Sequence, residues 1–386
     1  MNIKKDTISA HCKVSRRCGG CRSKNSVYAA TLRAKQGYLI KVLSQFCRVE
    51  KIIPSPRPVH YRNKVQMAFG KGSGGITSGV YQASERRIIE TDLCMLDDIR
   101  ADEIIRTVRE LCPRFDIRGY DMRTKKGFLR HVMVRVSRST DEIMVVLVTS
   151  IGAFGQARSF TNELLRRHPE ITTVVHNIND TDTPLFLGAE SHVLYGDGYI
   201  TDRLCGLEFR ISPRSFYQVN CEGAELLYKL AGECAKTEKT DRVIDAYCGT
   251  GTIGLSVAAS AEEVIGVEKN PDAVRDAEQN ACRNGIENAR FVCDDAGIFM
   301  KKMAEAGERA DVVITDPPRA GCSREFLDSL ITLAPKRVVY VSCNPDTLCR
   351  DLSYLTKNGY TAEYAQGVDM FPFTDHVECV VCLTRK

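Results

Sequence analysis

Cys343 is the first residue to ask about, because in "YVSCNPDTLCRDL" it directly follows an apolar run and precedes an Asn-Pro turn. A thiol at the point where a strand gives way to a loop stands where enzymes place reactive groups. It can act as a nucleophile once its surroundings favour the thiolate. Two carboxyl groups stand at similar strand boundaries, Asp316 in "TDPPRAGC" and Glu378 in "DHVECVV". A thiol and carboxyl groups at such boundaries are candidates for nucleophilic and general acid–base chemistry. Glu378 is the base expected here, ahead of His376, whereas Cys349 falls inside the helix that Asn344-Pro345 starts and is assigned to packing.

A second group of residues could hold a cofactor. In "DAYCGTGTIGL", Gly249, Gly251 and Gly254 let a ligand approach the backbone where a helix opens. That order suits a nicotinamide dinucleotide and S-adenosylmethionine equally. The next apolar run ends in Glu268, able to accept hydrogen bonds from a ribose diol, and the third ends in Asp294-Asp295, near where an adenine would lie. The fourth run separates the two cofactors. After Asp316, Pro317 and Pro318 stiffen the turn and remove backbone donors, so the loop presents carbonyls and a flat edge to a planar base. An acidic residue followed by two prolines is the mark of methyltransferases acting on nitrogenous bases. The residue after the two prolines is Arg319.

A third group is made of thiols. "HCKVSRRCGGC" spaces Cys12, Cys18 and Cys21 as C-x5-C-x2-C, with Gly19 and Gly20 free to fold around a small inorganic centre. Cys47, Cys94 and Cys112 could each supply a fourth ligand, and Cys94 in "TDLCML" has the fewest competing duties. Zinc and an iron–sulfur cluster fit this spacing equally. The C-x3-C-x2-C of radical enzymes is not met, so a cluster would serve structure or RNA contact.

These residues need a scaffold. Beyond residue 240, "RVIDAYCG", "EVIGVEKN", "ARFVCDD", "DVVITDPP", "RVVYVSCNP" and "CVVCLTR" alternate with helical stretches, the pattern of a Rossmann-like, doubly wound α/β sheet that binds ligands at its carboxyl edge. Residues 120–200 alternate in the manner of a small antiparallel sheet. The expected division is a central domain over 1–30 and 65–200 that carries the thiol-ligated centre, a basic helical segment over 31–64 packing on the catalytic domain, and a catalytic domain over 201–386. Residues 1–71 carry 16 Lys+Arg against 2 Asp+Glu, a net of +14, whereas 201–386 carry 22 against 29, or −7. The basic segment, interleaved with aromatics, suits a nucleic-acid backbone. No stretch reaches the eighteen apolar residues of a membrane span and the N-terminus has no apolar signal core, which points to the cytoplasm and to thiols rather than disulfides for the 17 cysteines. The sequence indicates no obligate protein partner.

From Cys12 to the C-terminus the chain resembles the RNA uracil-5-methyltransferase family, through "CGGC", "YRNKVQMAFG", "SFYQVN", "DAYCGTGTIGL", "GVEKNPDAV", "TDPPRAGC", "YVSCNPDTLCRDL" and "FPFTDHVECV" in order. The resemblance implies that Gln218, Tyr247, Gly249, Glu268, Asp295 and Asp316 line an S-adenosylmethionine site and that Cys343 is the nucleophile. It also implies that Cys12, Cys18, Cys21 and Cys94 hold a [4Fe-4S] cluster, which makes the central domain over 1–30 and 65–200 an iron–sulfur and RNA-binding one. Larger relatives carry an N-terminal barrel of the OB type, and only eleven residues precede Cys12, so RNA affinity is expected to rest on the basic segment and the small sheet. The expected partner is RNA, 23S ribosomal RNA before transfer RNA. Phe216 and Tyr217 are candidates to stack on the target base, and Arg319 and Arg324 to meet its phosphates. A non-catalytic RNA-binding factor on the same fold is the alternative that Cys343 and Glu378 argue against.

Overall fold

The computed structural model describes residues 12–21, 26–72, 75–82, 87–181 and 185–386. The apolar runs beyond residue 240 enter a sheet of eight strands, in the order Arg48–Ile53, Tyr360–Val368, Glu378–Arg385, Arg337–Ser342, Val312–Thr315, Arg242–Ala246, Glu263–Glu268 and Ala289–Cys293. The central strands are apolar without alternation because helices cover both faces. Pro271–Arg283, Ala296–Ala306, Arg324–Leu333 and Pro345–Lys357 are four of these helices, and side chains of Asn270, Asp295, Ser323 and Asn344 cap their first turns.

Three expectations are corrected. Glu378–Arg385, read as one more strand of a parallel set, runs antiparallel to both neighbours. The segment 31–64 is helical only through Leu43, and Arg48–Ile53 then joins the catalytic sheet as its edge, parallel to Tyr360–Val368. Its sequence, RVEKII, mixes charges with Val49, Ile52 and Ile53 over only six residues, and the pairing sets its place in the sheet. The sheet before residue 200 has seven strands, in the order Ile88–Glu90, Gly75–Tyr81, Lys64–Gly72, Leu129–Val136, Ile143–Thr149, Ile171–Ile178 and Glu190–Tyr195. It is mixed, because Ile143–Thr149 and Ile171–Ile178 pair in parallel through the crossover helix Ala157–Arg167.

The two sheets share a core. Met133, Met144, Val146 and Val148 pack in one cluster with Phe209 of the hairpin Ile200–Leu204 and Leu207–Ile211, Leu227 of the helix Cys221–Ala235, and Val341 of the catalytic sheet. Cys234 and Cys382 lie across this core with Cα atoms 5.4 Å apart and are joined as a disulfide, an exception to the expectation of mostly free thiols. Among the described residues no helix is long and apolar enough to cross a membrane.

The helix Tyr28–Leu43 is fixed by a buried polar knot. Lys35 Nζ lies 2.5 Å from Asp369 Oδ1, at the end of Tyr360–Val368, and donates to the Phe371 carbonyl at 2.9 Å. Tyr28 donates its hydroxyl to Asp369 Oδ2 at 2.7 Å, and its oxygen accepts from the Ser55 amide. The knot thus holds the start of the segment leading to Glu378. Removing one partner leaves an uncompensated buried charge. Lys35→Met is expected to cost about 3 kcal/mol in urea unfolding, and Asp369→Leu added to it to recover much of the loss.

Candidate active site

The inverted strand makes the site. Because Glu378–Arg385 runs against its neighbours, Ser342 faces Cys379 and Val368 faces Glu378, so its first residue lies at the edge where parallel strands end. Cys343 follows Ser342 at that edge, and Asp316 follows Thr315, which is registered with Tyr340. Cys343, Glu378, Asp316 and Arg319 line one cavity of about 540 Å³. Glu378 is buried, at 6% exposure. His376, the weaker choice of base, is exposed and lines a neighbouring cavity instead.

The loops that deliver these groups are tied to each other. The Arg319 carbonyl accepts from Asn344 Nδ2 at 2.9 Å and from Thr347 Oγ1 at 3.2 Å, joining the Pro-Pro loop to the loop of Cys343. A turn closes from the Gly321 amide to the Pro318 carbonyl, and buried Asp351 takes the Cys322 amide at 2.9 Å. Gly321 has φ +77°, and a Cβ there would fall 2.7 Å from Asp351 Oδ2, so the loop leaves the cavity through a point that only glycine fits.

Burial, and then the charges of Glu378 and Asp316, push the Cys343 thiol up to about 11, with Arg319 opposing. Burial and then Asp316 raise Glu378, again against Arg319, and burial raises Asp316. Two carboxyls held this close resist ionising together. At neutral pH the substrate-free site therefore holds a protonated thiol and a carboxyl pair that keeps a proton.

Gln218, Tyr247, Gly249, Glu268 and Asp295 line the other half of the same cavity. Glu268 is held in place by the amides of Gly249 at 3.3 Å and Asn270 at 2.8 Å. Asp295 caps its helix through Oδ1, while Asp294 turns away to Lys302 at 2.7 Å. Tyr247 occupies the left-handed region at φ +63°, the sharp turn that aims its carbonyl and ring from the strand end. The loop of Gln218 is anchored by the other sheet: Asn63 Nδ2 donates to the Gln218 carbonyl at 3.0 Å and Arg135 Nη2 to the Ser215 carbonyl at 2.5 Å.

Asp245 escaped the sequence reading. Its Oδ2 accepts the Gly254 amide at 2.7 Å, its buried Oδ1 has no partner, and burial raises its carboxyl to about 7. It faces a small cavity beside Gln218, Tyr247 and Asp316, where a ligand ammonium would satisfy it. A lone acid inside an apolar strand just before a glycine loop was the available signal. Other assignments are corrected. Tyr217 is buried in the shared core and cannot stack on a ligand, whereas Phe216 is 63% exposed at the cavity wall. Arg324 pairs with Asp328 and lies over Tyr354, held to its own surface.

A second cavity, of about 870 Å³, shares Cys343, Arg319 and Phe371 with the first and extends along Tyr38 and Lys35 to Cys21. Cys21 feels the charges of Cys12 and Cys18, and Cys21 and Cys94 pack on one patch of Tyr28, Tyr61, Leu96 and Phe373. Cys47 packs in the catalytic core and Cys112 in the other sheet's core, which leaves Cys94 as the cysteine nearest in placement to the triplet. Four thiols are the donor set that an iron–sulfur centre takes, and they fit it in kind. Among the described residues, no three ligating side chains stand together at metal-holding distance.

A family model described as tRNA (Uracil-5-)-methyltransferase matches residues 193–386. An RNA methyltransferase of Oceanobacillus iheyensis, described as uncharacterized, is 42% identical over 96% of this chain and 82% of its own. One of Halalkalibacterium halodurans, described in the same way, is 42% identical over 99% and 84%. The crystal structure of Pyrococcus abyssi tRNA (uracil-54, C5)-methyltransferase in complex with S-adenosyl-L-homocysteine is similar over 98% of this chain and 92% of that one, with a TM-score of 0.79 and 26% identity.

The electrostatics carry a signed expectation. Iodoacetamide labelling of Cys343, read by peptide mass spectrometry, should rise only through the alkaline range, toward a midpoint near 11. Asp316→Asn should lower that midpoint by removing a like charge, and Arg319→Ala should raise it.

Proposed function

The chain belongs to the tRNA (uracil-5-)-methyltransferase family and is an S-adenosylmethionine-dependent RNA methyltransferase, and from that premise we propose that it methylates C5 of a uridine through a covalent adduct on Cys343. The observation that carries the reading is the meeting of Cys343, Glu378 and Asp316 with the cofactor-side residues in one cavity. C5 of uracil is too weak a nucleophile to take a methyl group unaided. The Cys343 thiolate adds to C6, and the resulting enolate attacks through C5. S-adenosylmethionine supplies the methyl group from a cationic sulfur. Positive charge entering this cavity favours the ionised forms of Cys343, Asp316 and Glu378. Glu378 then takes the C5 proton, the Cys343–C6 bond breaks, and the thiolate is restored. A carboxyl raised toward neutrality suits proton transfer at physiological pH. Arg319 faces both Cys343 and Glu378 and steadies the charge that moves between them.

The target base must leave any stack to reach Cys343, and the second cavity offers its strand a path past Tyr38 and Arg62. The proposed substrate is 23S ribosomal RNA, the target expected from the four-cysteine motif. A transfer RNA is the second reading, favoured by the family description and by the Pyrococcus enzyme's substrate. Cys12, Cys18, Cys21 and Cys94 are read as ligands of a [4Fe-4S] cluster, supported by the placement of Cys21 and Cys94 on one patch. Such a cluster would cross-link the N-terminal loop, part of the second cavity's wall, to the loop of Cys94.

Two experiments test these readings. With S-adenosylmethionine and unmodified RNA, Glu378→Gln should complete methyl transfer yet accumulate a denaturation-resistant RNA adduct, with turnover roughly a hundredfold to ten-thousandfold slower. Cys343→Ala should form no adduct, and mass spectrometry of ribosomal and transfer RNA treated with wild type decides the substrate. Normal turnover by Glu378→Gln would remove Glu378 from the mechanism. Anaerobically purified protein should be brown, with visible absorbance lost in Cys18→Ser; colourless protein holding stoichiometric zinc would replace the cluster.

A further inference from the structure

A third cavity, of about 720 Å³, lies on the central sheet and has no part in the chemistry described so far. Lys71, Arg87, Arg123 and Arg17 line it, together with Tyr81. None of Arg17, Lys71 and Arg87 closes an ion pair with another described residue. Its two carboxylates are already engaged. Asp121 accepts the amides of Arg123 and Thr124 at 2.8 and 3.3 Å and lies 3.9 Å from Arg123 Nε, and Glu90 accepts from Thr77 Oγ1 at 3.2 Å and faces Arg109 at 3.7 Å. The cationic side chains thus outnumber carboxylates that are spoken for, in a concave site.

One wall is closely packed. A Cβ on Gly119 would fall 2.6 Å from the Gly70 carbonyl, and one on Gly127 would fall 2.2 Å from the Gly119 carbonyl, so the turn bearing Arg123 is closed tightly onto the strand that ends near Lys71. Tyr81 is backed by the His131 ring at 6.2 Å, edge-on, and Arg130 lies 4.7 Å over Tyr120. Arg17 comes from the short helix Ser15–Cys18, and the residues that follow it, Gly19, Gly20 and Cys21, line the cavity that opens onto Cys343. One short loop therefore stands between this basic site and the path to the reaction centre.

Cations on a concave surface with an aromatic face at hand are what a single-stranded nucleic acid needs, its phosphates meeting the charges and a base stacking on the ring. We propose that this cavity is a second RNA subsite, which takes a phosphodiester stretch of the substrate outside the reaction cavity with one base against Tyr81. The proposal rests on the reading that the substrate is RNA.

The probe is a fluorescein-labelled oligouridylate of about twenty nucleotides, a length covering more than one subsite, titrated by anisotropy against the full chain over a range of potassium chloride. Lys71→Ala/Arg87→Ala/Arg123→Ala should bind roughly tenfold more weakly and lower the slope of log affinity against log salt by about 2, at roughly 0.7 per lost contact. Lys71→Arg/Arg87→Lys/Arg123→Lys should keep both, and Tyr81→Leu should weaken binding without changing the slope. With a methylatable RNA, the alanine variant should raise the RNA KM and leave kcat and the KM for S-adenosylmethionine unchanged. Unchanged affinity and slope overturn the subsite, as does an equal loss in Lys229→Ala/Lys236→Ala/Lys239→Ala on the opposite domain. If wild type makes no 5-methyluridine while the triple variant still loses oligouridylate affinity, the catalytic reading falls and the subsite stands.

Discussion

One strand running the wrong way decides where this protein can do chemistry. A purely parallel sheet places only strand ends at its ligand-binding edge. Here Glu378–Arg385 is wedged antiparallel between Arg337–Ser342 and Tyr360–Val368, so the edge receives a strand beginning as well. That beginning is Glu378, and the neighbouring ending delivers Cys343. A parallel insertion would have sent Glu378 to the far side of the sheet, a strand length away. The segment that turns the chain around, from Asp369 to Val377, is in turn pinned by the buried Lys35 and Tyr28. An N-terminal helix thereby contributes to the position of a base near the C-terminus.

Burial gives the site its character and its restraint. The desolvation that raises Glu378 also holds Cys343 as a thiol. A buried thiol that keeps its proton is less exposed to oxidation and alkylation than a standing thiolate. Arg319 acts on both groups, and its backbone is clamped by the loop that carries Cys343.

The two sheets work as one body. Their shared apolar core, and the reach of Asn63 and Arg135 to the Gln218 loop, make the cofactor side of the cavity depend on residues of the other sheet. Substitutions in the central sheet can therefore affect cofactor binding without touching the cofactor.

Much of the candidate site was legible in the sequence because each element's chemistry is local. The glycines after the first catalytic strand, the Pro-Pro turn after Asp316, and the thiol after "YVS" each announce a loop at a strand end through short-range backbone preferences. Glu378 was legible as a carboxylate at a strand boundary, but its adjacency to Cys343 was not, since strand direction is set by long-range pairing. The same reason hid the strand Arg48–Ile53, whose six residues take their place in the sheet from Tyr360–Val368. Tyr217 and Phe216 are neighbours of like type, and only packing made one a core residue and the other exposed. Asp245 looked like part of a buried strand until the structure showed one of its oxygens left without a partner. The sequence by itself determined which groups were available and that they stood at strand ends, because those signals are written in spacing and turn chemistry. The tertiary structure alone decided which ends met, because registry and direction depend on pairing between strands tens to hundreds of positions apart.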